Sequence, residues 1–408
     1  MRKEFTFIDL FCGIGGFHQA MVSLGGRCVF ASDIDADCRK TYAINYGIAP
    51  QGDITQIDAA DIPPHDVLCA GFPCQSFSKA GSRRGFEDPT KGTLFFDIVR
   101  ILDYHYPKYA LLENVRNLAS HDGGNTWRII HSRLREAGYN LLPEPVIFSP
   151  HYLGIPQHRE RVYIMCVRED IGEIPPFFFD ENKIKPCRIE SILQDDSQIP
   201  NLADYQLDAD KIWLLELWDE FIRSINCEKL PGFPVWSDCL CDLDPNEDLS
   251  GYPVWKQNFI RKNNRLYIDN RAFIDDWLIR ARECPLFFGA KAKLEWQAGQ
   301  PRKPTLWNNI LHFRPSGIRV KPGTYFPALV AITQTSIIGC RKRELTPREC
   351  ARLQSFPDSF IPDSKKLQAY KQFGNAVNVE TVKLFAKYMF GDKKVRKEYS
   401  VPQYKKDK

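Results

Sequence analysis

The 408-residue chain has no Cys-x-x-Cys pair, and its closest cysteine spacing is Cys239-x-Cys241. Its 13 cysteines are an odd number. Both features argue against a zinc module or a disulfide framework and for a reducing, cytoplasmic compartment. No uninterrupted apolar run is long enough to span a bilayer, so no membrane helix is expected. The start, MRKEFTFIDLF, enters a strand-like run at once, and no signal peptide is expected. Charge of one sign is also scarce: 55 Lys and Arg against 51 Asp and Glu leave only +4. That total is a weak argument for a nucleic-acid partner, although a local basic face can hide within it. What remains is an ordinary globular composition, 43% hydrophobic and 26% charged, in a chain long enough for two domains.

Residues 5–175 alternate two kinds of segment. FTFIDLF, CVFASDID, DVLCAGFP, YALLENV and RVYIMCVRED read as strands. GIGGFHQAMVSLG, DADCRKTYAINYG, TLFFDIVRILDYHYP and TWRIIHSRLREAGY read as helices. This predicts an α/β fold with a mostly parallel sheet covered on both faces. From about residue 175 to 340 the rhythm is lost, and seven of the eight tryptophans fall there. A separate inserted domain is expected, with its tryptophans in a core. TPRECARLQSF and VNVETVKLFAKYMF then restore helical spacing. The expected division is 1–178 for the first part of the main domain and 179–341 for the insert. A hinge and return segment follows at 342–365, then the end of the main domain at 366–392. Residues 393–408 form a basic tail, expected to be mobile.

Four stretches carry chemistry. DLFCGIGGF, residues 9–17, puts glycines after a strand, where the backbone can turn tightly and approach a ligand at a helix N-terminus. It lacks the third spaced glycine of the dinucleotide fingerprint. Asp33 and Asp53 follow at later strand ends. Such acids either cap helices or accept hydrogen bonds, Asp33 from ribose hydroxyls and Asp53 from an adenine amino group. Three such strand ends in register favour an adenosine-type cofactor. In AGFPCQSFSKAG, Cys74 sits where a strand gives way to a polar loop. Pro73 fixes the backbone before it. Lys79, Arg83 and Arg84 bring the positive charge that a nucleophilic thiolate needs; inert packing is the other role open to a lone cysteine. Glu113, ending the apolar strand in LLENVRNL, either holds a proton at a raised pKa or serves as an ion-paired or capping glutamate. In PQHRERVYI, Gln157, Arg159 and Arg161 alternate on one strand face. Two guanidiniums there invite an anion or a carboxylate, unless the strand is a solvated edge.

Together these blocks resemble the DNA (cytosine-5) methyltransferases of bacterial restriction–modification systems. DLFCGIGGF resembles the family's cofactor motif, GFPCQSFS its Pro-Cys motif, ENV its Glu-Asn-Val motif and QHRER its Gln-x-Arg-x-Arg motif. RELTPRECARLQSFPD and QFGNAVN resemble its last two blocks. The order is the family's, over about residues 5–175 and 342–390. The resemblance implies a Rossmann-like, S-adenosylmethionine-dependent methyltransferase domain with an inserted target-recognition domain. It implies methyl transfer to C5 of a flipped-out cytosine in double-stranded DNA through a covalent cysteine adduct, with S-adenosylhomocysteine as product.

By the same carry-over, Cys74 is the nucleophile and Glu113 protonates the cytosine at N3. Arg161 holds the cytosine O2 and positions Glu113, and Arg159 lies near the phosphate or the nucleophile. Phe11, Gly13, Ile14 and Gly16 contact the cofactor. Asp33 takes its ribose, Ile34 packs on its adenine, and Asp53 with Ile54 reads the adenine edge. Pro73 and Leu94 line the pocket, and Asn375 with Ala376 reaches back from the C-terminal block. The loop after Cys74, with Gln75, Ser78, Arg83 and Arg84, is expected to close over DNA, with Gln157 also on the DNA side. Arg261, Arg265, Arg314 and Arg319 of the insert are expected at phosphates or guanines, or else on a solvated basic surface. No metal and no membrane are expected. The enzyme would act as a monomer, with a cognate restriction endonuclease sharing its site but no stable complex. Two rivals share the fold: a tRNA cytosine-5 methyltransferase, whose relatives have a shorter recognition region, and a non-catalytic DNA-binding regulator, expected to lose Cys74 or Glu113. A nicotinamide-dependent dehydrogenase is disfavoured by the missing glycine and by the Pro-Cys motif.

Overall fold

The computed structural model describes residues 4–73, 94–244, 247–331 and 335–400. It divides into two compact units. One is Met1–Cys187 with Ala328–Thr333 and Cys350–Lys408; the other is Arg188–Pro327 with Gln334–Glu349.

The first unit is built on a seven-stranded sheet. Its strands are β1 (Phe5–Leu10), β2 (Gly26–Ser32), β3 (Val67–Gly71), β4 (Tyr109–Val115), β5 (Tyr139–Asn140), β6 (Val146–Phe148) and β7 (Arg161–Arg168). The order is β2-β1-β3-β4-β7-β5, with β6 also paired to β7. The pairs β1–β2, β1–β3 and β3–β4 are parallel, whereas β7 is antiparallel to β4, β5 and β6. Every strand but β7 therefore runs one way.

The strands are near-continuous apolar runs because both faces of the sheet are covered. On one face α3 (Leu94–His105) buries Phe95, Ile98, Ile101 and Leu102, and α4 (Asn125–Glu136) buries Trp127, Ile130 and Leu134. They pack on alternate strand residues, among them Ile8, Leu10, Leu68, Ala70, Ala110, Leu112, Val162 and Ile164. Two more helices, α1 (Gly16–Ser23) and α2 (Ala36–Tyr46), follow the first two strands. The C-terminal block adds α5 (Lys366–Asn375) and α6 (Val379–Met389). In α6, Phe385 stacks on Tyr163 of β7 at 4.4 Å, and Thr381 Oγ1 lies 2.7 Å from the Tyr163 hydroxyl. Late sequence is thus part of the first unit's core.

The second unit holds a six-stranded sheet and the helices Ala209–Ser224, Val254–Asp269 and Arg271–Glu283. Trp218, Trp277 and Trp296 are buried in its core. Their indole N–H groups donate to the carbonyls of Lys291 (3.0 Å), Leu217 (2.8 Å) and Gly299 (2.7 Å). These three are core residues, as expected, whereas Trp213 and Trp255 are exposed.

The division between units differs from the expected boundaries. Residues 179–187 stay with the first unit, and so does the return at Ala328–Thr333. Residues 342–349 belong to the second unit, where Ile338 pairs with Arg343 and buried Arg343 meets Glu349 at 2.8 Å. The tail is also a correction, because it is fixed as far as residue 400. Asp392 caps α7 (Lys393–Glu398), and Tyr399 beyond it is only 7% exposed. Its ring stacks on Phe177 at 5.1 Å, and its carbonyl accepts the Phe178 N–H at 2.8 Å. Aromatic burial outweighs the chain entropy that a basic tail would otherwise keep. Among the described residues, no helix is long and apolar enough to cross a membrane.

Tyr399→Ala is expected to destabilise the protein by about 3 kcal/mol. Urea unfolding measures this, and an unchanged midpoint would show that the docked tail contributes nothing.

Candidate active site

Parallel sheets bind ligands at the carboxyl ends of their strands. Here β1 ends at Leu10, and Phe11 follows with φ 53°, a left-handed conformation that non-glycine residues seldom adopt. Gly13 (φ 51°) and Gly15 (φ 83°) complete the turn into α1. Asp33, just past β2, holds this turn. Its Oδ2 accepts the Gly13 N–H at 2.7 Å and its Oδ1 accepts the Asp35 N–H at 2.8 Å. Burial raises the Asp33 pKa, and these two N–H groups oppose the rise. Each carboxylate oxygen retains a second lone pair for a ligand. Asp53 accepts the Thr55 N–H at 3.0 Å and caps the turn Ile54–Gln56. Asp53 thus caps a turn and can still reach a ligand, whereas the cap of α2 is Asp35 and Asp33 braces the glycine turn instead.

A cavity of about 560 Å³ opens at these strand ends. Such a volume suits a small-molecule ligand. Phe11, Gly13, Asp33, Ile34, Asp53 and Ile54 line it, together with Pro73, Leu94 and Asn375. Ile34 is 75% exposed, so a large apolar surface lies bare at the cavity. Ile14, Gly16 and Ala376 are buried and do not line it. They shape it instead: the Ile14 carbonyl accepts the Tyr46 hydroxyl at 3.3 Å, and a Cβ added to Gly16 would sit 2.7 Å from the Val377 carbonyl oxygen.

Glu113, Arg159 and Arg161 line the same cavity. Glu113 on β4 pairs in register with Gly71, where β3 ends and the chain runs on through Phe72 and Pro73 to Cys74. Arg161 Nε lies 3.2 Å from Glu113 Oε1, with both side chains largely enclosed. Burial raises the Glu113 pKa, against the pull of Arg161 and then of Arg159. An ion pair and a raised pKa thus fall on the same carboxyl. Burial, followed by the like charge of Arg161, lowers the Arg159 pKa to about 9.

Other expected residues fall elsewhere. Gln157 shares the inward face with Arg159 but is wholly buried, and its amide oxygen and nitrogen have no hydrogen-bond partner. The expectation that Gln157 contacts DNA is thus corrected: its face turns into the protein. Cys74, Gln75, Ser78, Arg83 and Arg84 lie outside the described residues. In the second unit Arg265 pairs with Asp269 at 2.9 Å and Arg319 with Glu295 at 2.7 Å, while Arg261 and Arg314 are exposed.

The sequence of a chain with these sites matches the profile of the C-5 cytosine-specific DNA methylases over residues 5–391. The chain belongs to this family. It is a DNA cytosine-5 methyltransferase, and its methyl donor is S-adenosylmethionine. The type II methyltransferase M.AluI of Cellulosimicrobium cellulans is 35% identical over 94% of this chain and 91% of its own length. M.HpaII of Haemophilus parainfluenzae is 36% identical over 95% of this chain and 89% of its own length. The solved structure of the Entamoeba histolytica methyltransferase EhMeth aligns over 96% of this chain and 99% of its own, with a TM-score of 0.54 at 16% identity, which shows a shared fold.

Some of the methyltransferase's supporting residues were not among the expected site residues. Asn114 Nδ2 donates to the Phe72 carbonyl at 2.9 Å, and its Oδ1 accepts the Val115 N–H at 2.8 Å. It locks the end of β3, just before the Pro-Cys pair, to β4. Its place beside Glu113 in the Glu-Asn-Val motif was the signal that could have marked it. Lys371 on α5 pairs with Asp35 at 2.9 Å, and nothing local in sequence marks that pair.

A carboxyl whose folded pKa is raised stabilises the fold most below its unfolded value and loses that contribution as pH rises through the folded value. Wild type should therefore gain stability relative to Glu113→Gln as pH falls through the raised Glu113 pKa toward the ordinary 4.5. Paired thermal unfolding from pH 8 to pH 4 reads this. A difference that stays flat with pH would remove the raised pKa.

Proposed function

We propose that this enzyme methylates one cytosine of a specific duplex sequence, protecting DNA from a cognate restriction endonuclease, as the type II names of its relatives suggest. The observation that carries the chemistry is the Glu113–Arg161 pair at 3.2 Å in the wall of the cavity that Asp33 and Asp53 also line. The Cys74 thiolate adds to C6 of the cytosine and forms the S–C6 bond. Negative charge would build on the ring, and a protonated Glu113 relieves it by giving its proton to N3. Arg161 fixes Glu113 and donates to the cytosine O2. C5 becomes an enamine carbon able to attack an electrophile. S-adenosylmethionine, when bound, supplies that electrophile as its sulfonium methyl group and leaves as S-adenosylhomocysteine. A base, such as a water, then removes the C5 proton, the S–C6 bond breaks to release the Cys74 thiolate, and N3 returns its proton to Glu113.

The cavity suits that cofactor. Asp33 keeps lone pairs for ribose hydroxyls, Ile34 offers an apolar face to adenine, and Asp53 can accept from the adenine amino group. Phe11, Gly13, Pro73, Leu94 and Asn375 complete the walls. The target carbon is stacked inside the duplex, so the base must be flipped out, at a cost of a few kcal/mol. The loop after Cys74 is suited by its composition to close over it. The second unit would read the sequence. The enzyme works as a monomer and needs no stable complex with an endonuclease.

The decisive experiment uses duplexes of diverse sequence, with cytosine or 5-fluorocytosine, and S-adenosylmethionine carrying a labelled methyl. Fluorine at C5 cannot leave as a proton does, so the adduct should survive denaturation. Cys74→Ser should abolish both adduct and label, and Glu113→Gln should lower turnover by about 10²–10⁴-fold. Label in tRNA and none in DNA would reject the substrate assignment. For DNA affinity, the exposed Arg261 and Arg314 should matter more than the paired Arg265 and Arg319. For each phosphate that an arginine neutralises, its alanine variant should reduce the slope of log K against log salt by about 0.9. Equal slopes in wild type and the Arg261 and Arg314 variants would take these residues off the phosphates.

A further inference from the structure

Arg159 is 2% exposed, and backbone carbonyls occupy its terminal nitrogens. Nη1 donates to the Leu329 carbonyl at 2.8 Å, and Nη2 donates to those of Gly374 at 2.9 Å and Ala376 at 3.0 Å. These carbonyls belong to two segments far apart in sequence. Leu329 lies in the return stretch Ala328–Thr333, and Gly374 and Ala376 flank Asn375 where α5 ends. The last carbonyls of a helix have no partner within it, and a guanidinium is well shaped to satisfy several at once. The segments meet backbone to backbone. A Cβ added to Gly374 would come within 2.6 Å of the Ala331 nitrogen and closer still to the Val330 carbonyl. Its Nε is also buried, without a partner. A group enclosed in this way has no donor in solvent for a DNA phosphate.

We infer that Arg159 is a positioning residue, a pin that closes the cofactor cavity by holding Asn375 in its wall. This rests on the cavity being the cofactor site. The pin also binds the return stretch to α5, so the wall is complete only when both segments are docked. Its charge has a second effect, lowering the pKa of Glu113 alongside Arg161.

The test is S-adenosylhomocysteine binding without DNA, measured by titration calorimetry. Arg159→Ala should weaken that binding by about ten-fold or more, because small displacements of a binding wall are costly. Arg159→Lys can reach fewer carbonyls and should fall between. Gly374→Ala, which disturbs the same junction but removes no charge, should reproduce the loss. The salt dependence of DNA binding should match wild type in all three. Where Arg159→Ala fails to fold, the lysine and alanine variants at 159 and 374 that do fold carry the comparison. Cofactor affinity within about two-fold of wild type in Arg159→Lys and Gly374→Ala, with a salt slope lower by about one phosphate in the Arg159 variants, would overturn the inference and return Arg159 to the DNA. Wild-type protein that does not bind S-adenosylhomocysteine would reject the cavity assignment itself.

Discussion

Arg161 reaches Glu113 because β7 runs against the other strands. Glu113 lies near the carboxyl end of β4, where a parallel sheet opens its ligand crevice. A parallel β7 would bring its first residues to the opposite edge. Antiparallel pairing sets Arg161 opposite Val115 and Tyr163 opposite Glu113, so the first residue of β7 stands at the crevice. Arg159 precedes it by two and shares its inward direction. The two guanidiniums and the carboxyl thus follow from strand direction and register, and a slip of one residue would turn them to the other face.

That arrangement sets up an electrostatic balance. Enclosing Glu113 favours its neutral form, while two arginines favour its charged form. Burial prevails, so the pKa of the carboxyl is raised while Arg161 still orients it. A fully solvated Glu–Arg pair would orient but would not retain the proton. A buried glutamate without arginine would retain the proton but would have no fixed direction. Arg159 is subject to the same enclosure, and its pKa falls to about 9. Its three carbonyl partners carry partial negative charge where a carboxylate is lacking. This is how a buried cation survives among neutral groups.

Much of this was legible in the sequence wherever the cause is local. A glycine turn after an apolar strand, an acid at the next strand end, and alternating Gln-x-Arg-x-Arg residues act through spacing, and spacing is visible in one dimension. Asp33 and Asp53 read either as caps or as ligand acceptors; Asp53 caps and keeps lone pairs to share, while the cap of α2 falls to Asp35 and leaves Asp33 to the glycine turn. The reversed direction of β7 was not legible, since a strand's residues look alike in either direction. The carbonyl partners of Arg159 could not be read either, because backbone groups have no sequence identity and lie far along the chain. Arg265 and Arg319 are paired with Asp269 and Glu295, and a count of charges does not reveal pairs. The tail misled for a related reason: its lysines suggested solvent, while Tyr399 docks on Phe177.

The discontinuity of the first unit follows from the same geometry. Its sheet is covered on both faces only when α6 returns to pack on β7, through Phe385 on Tyr163. Its cavity is walled only when Asn375 returns beside Glu113 and Arg159. A long insertion is tolerated between β7 and these helices because loop closure costs grow only slowly with length, provided the returning segments recognise their places. Here they do so through buried polar matches that a wrong register would leave unpaired. Gln372 bonds Thr41 at 3.0 Å, Asn378 holds the Leu353 carbonyl at 3.0 Å, and Arg159 takes carbonyls from both returning stretches. The Arg159 bonds alone also border the cavity, so there the wall and the docking of the returning segments share the same hydrogen bonds.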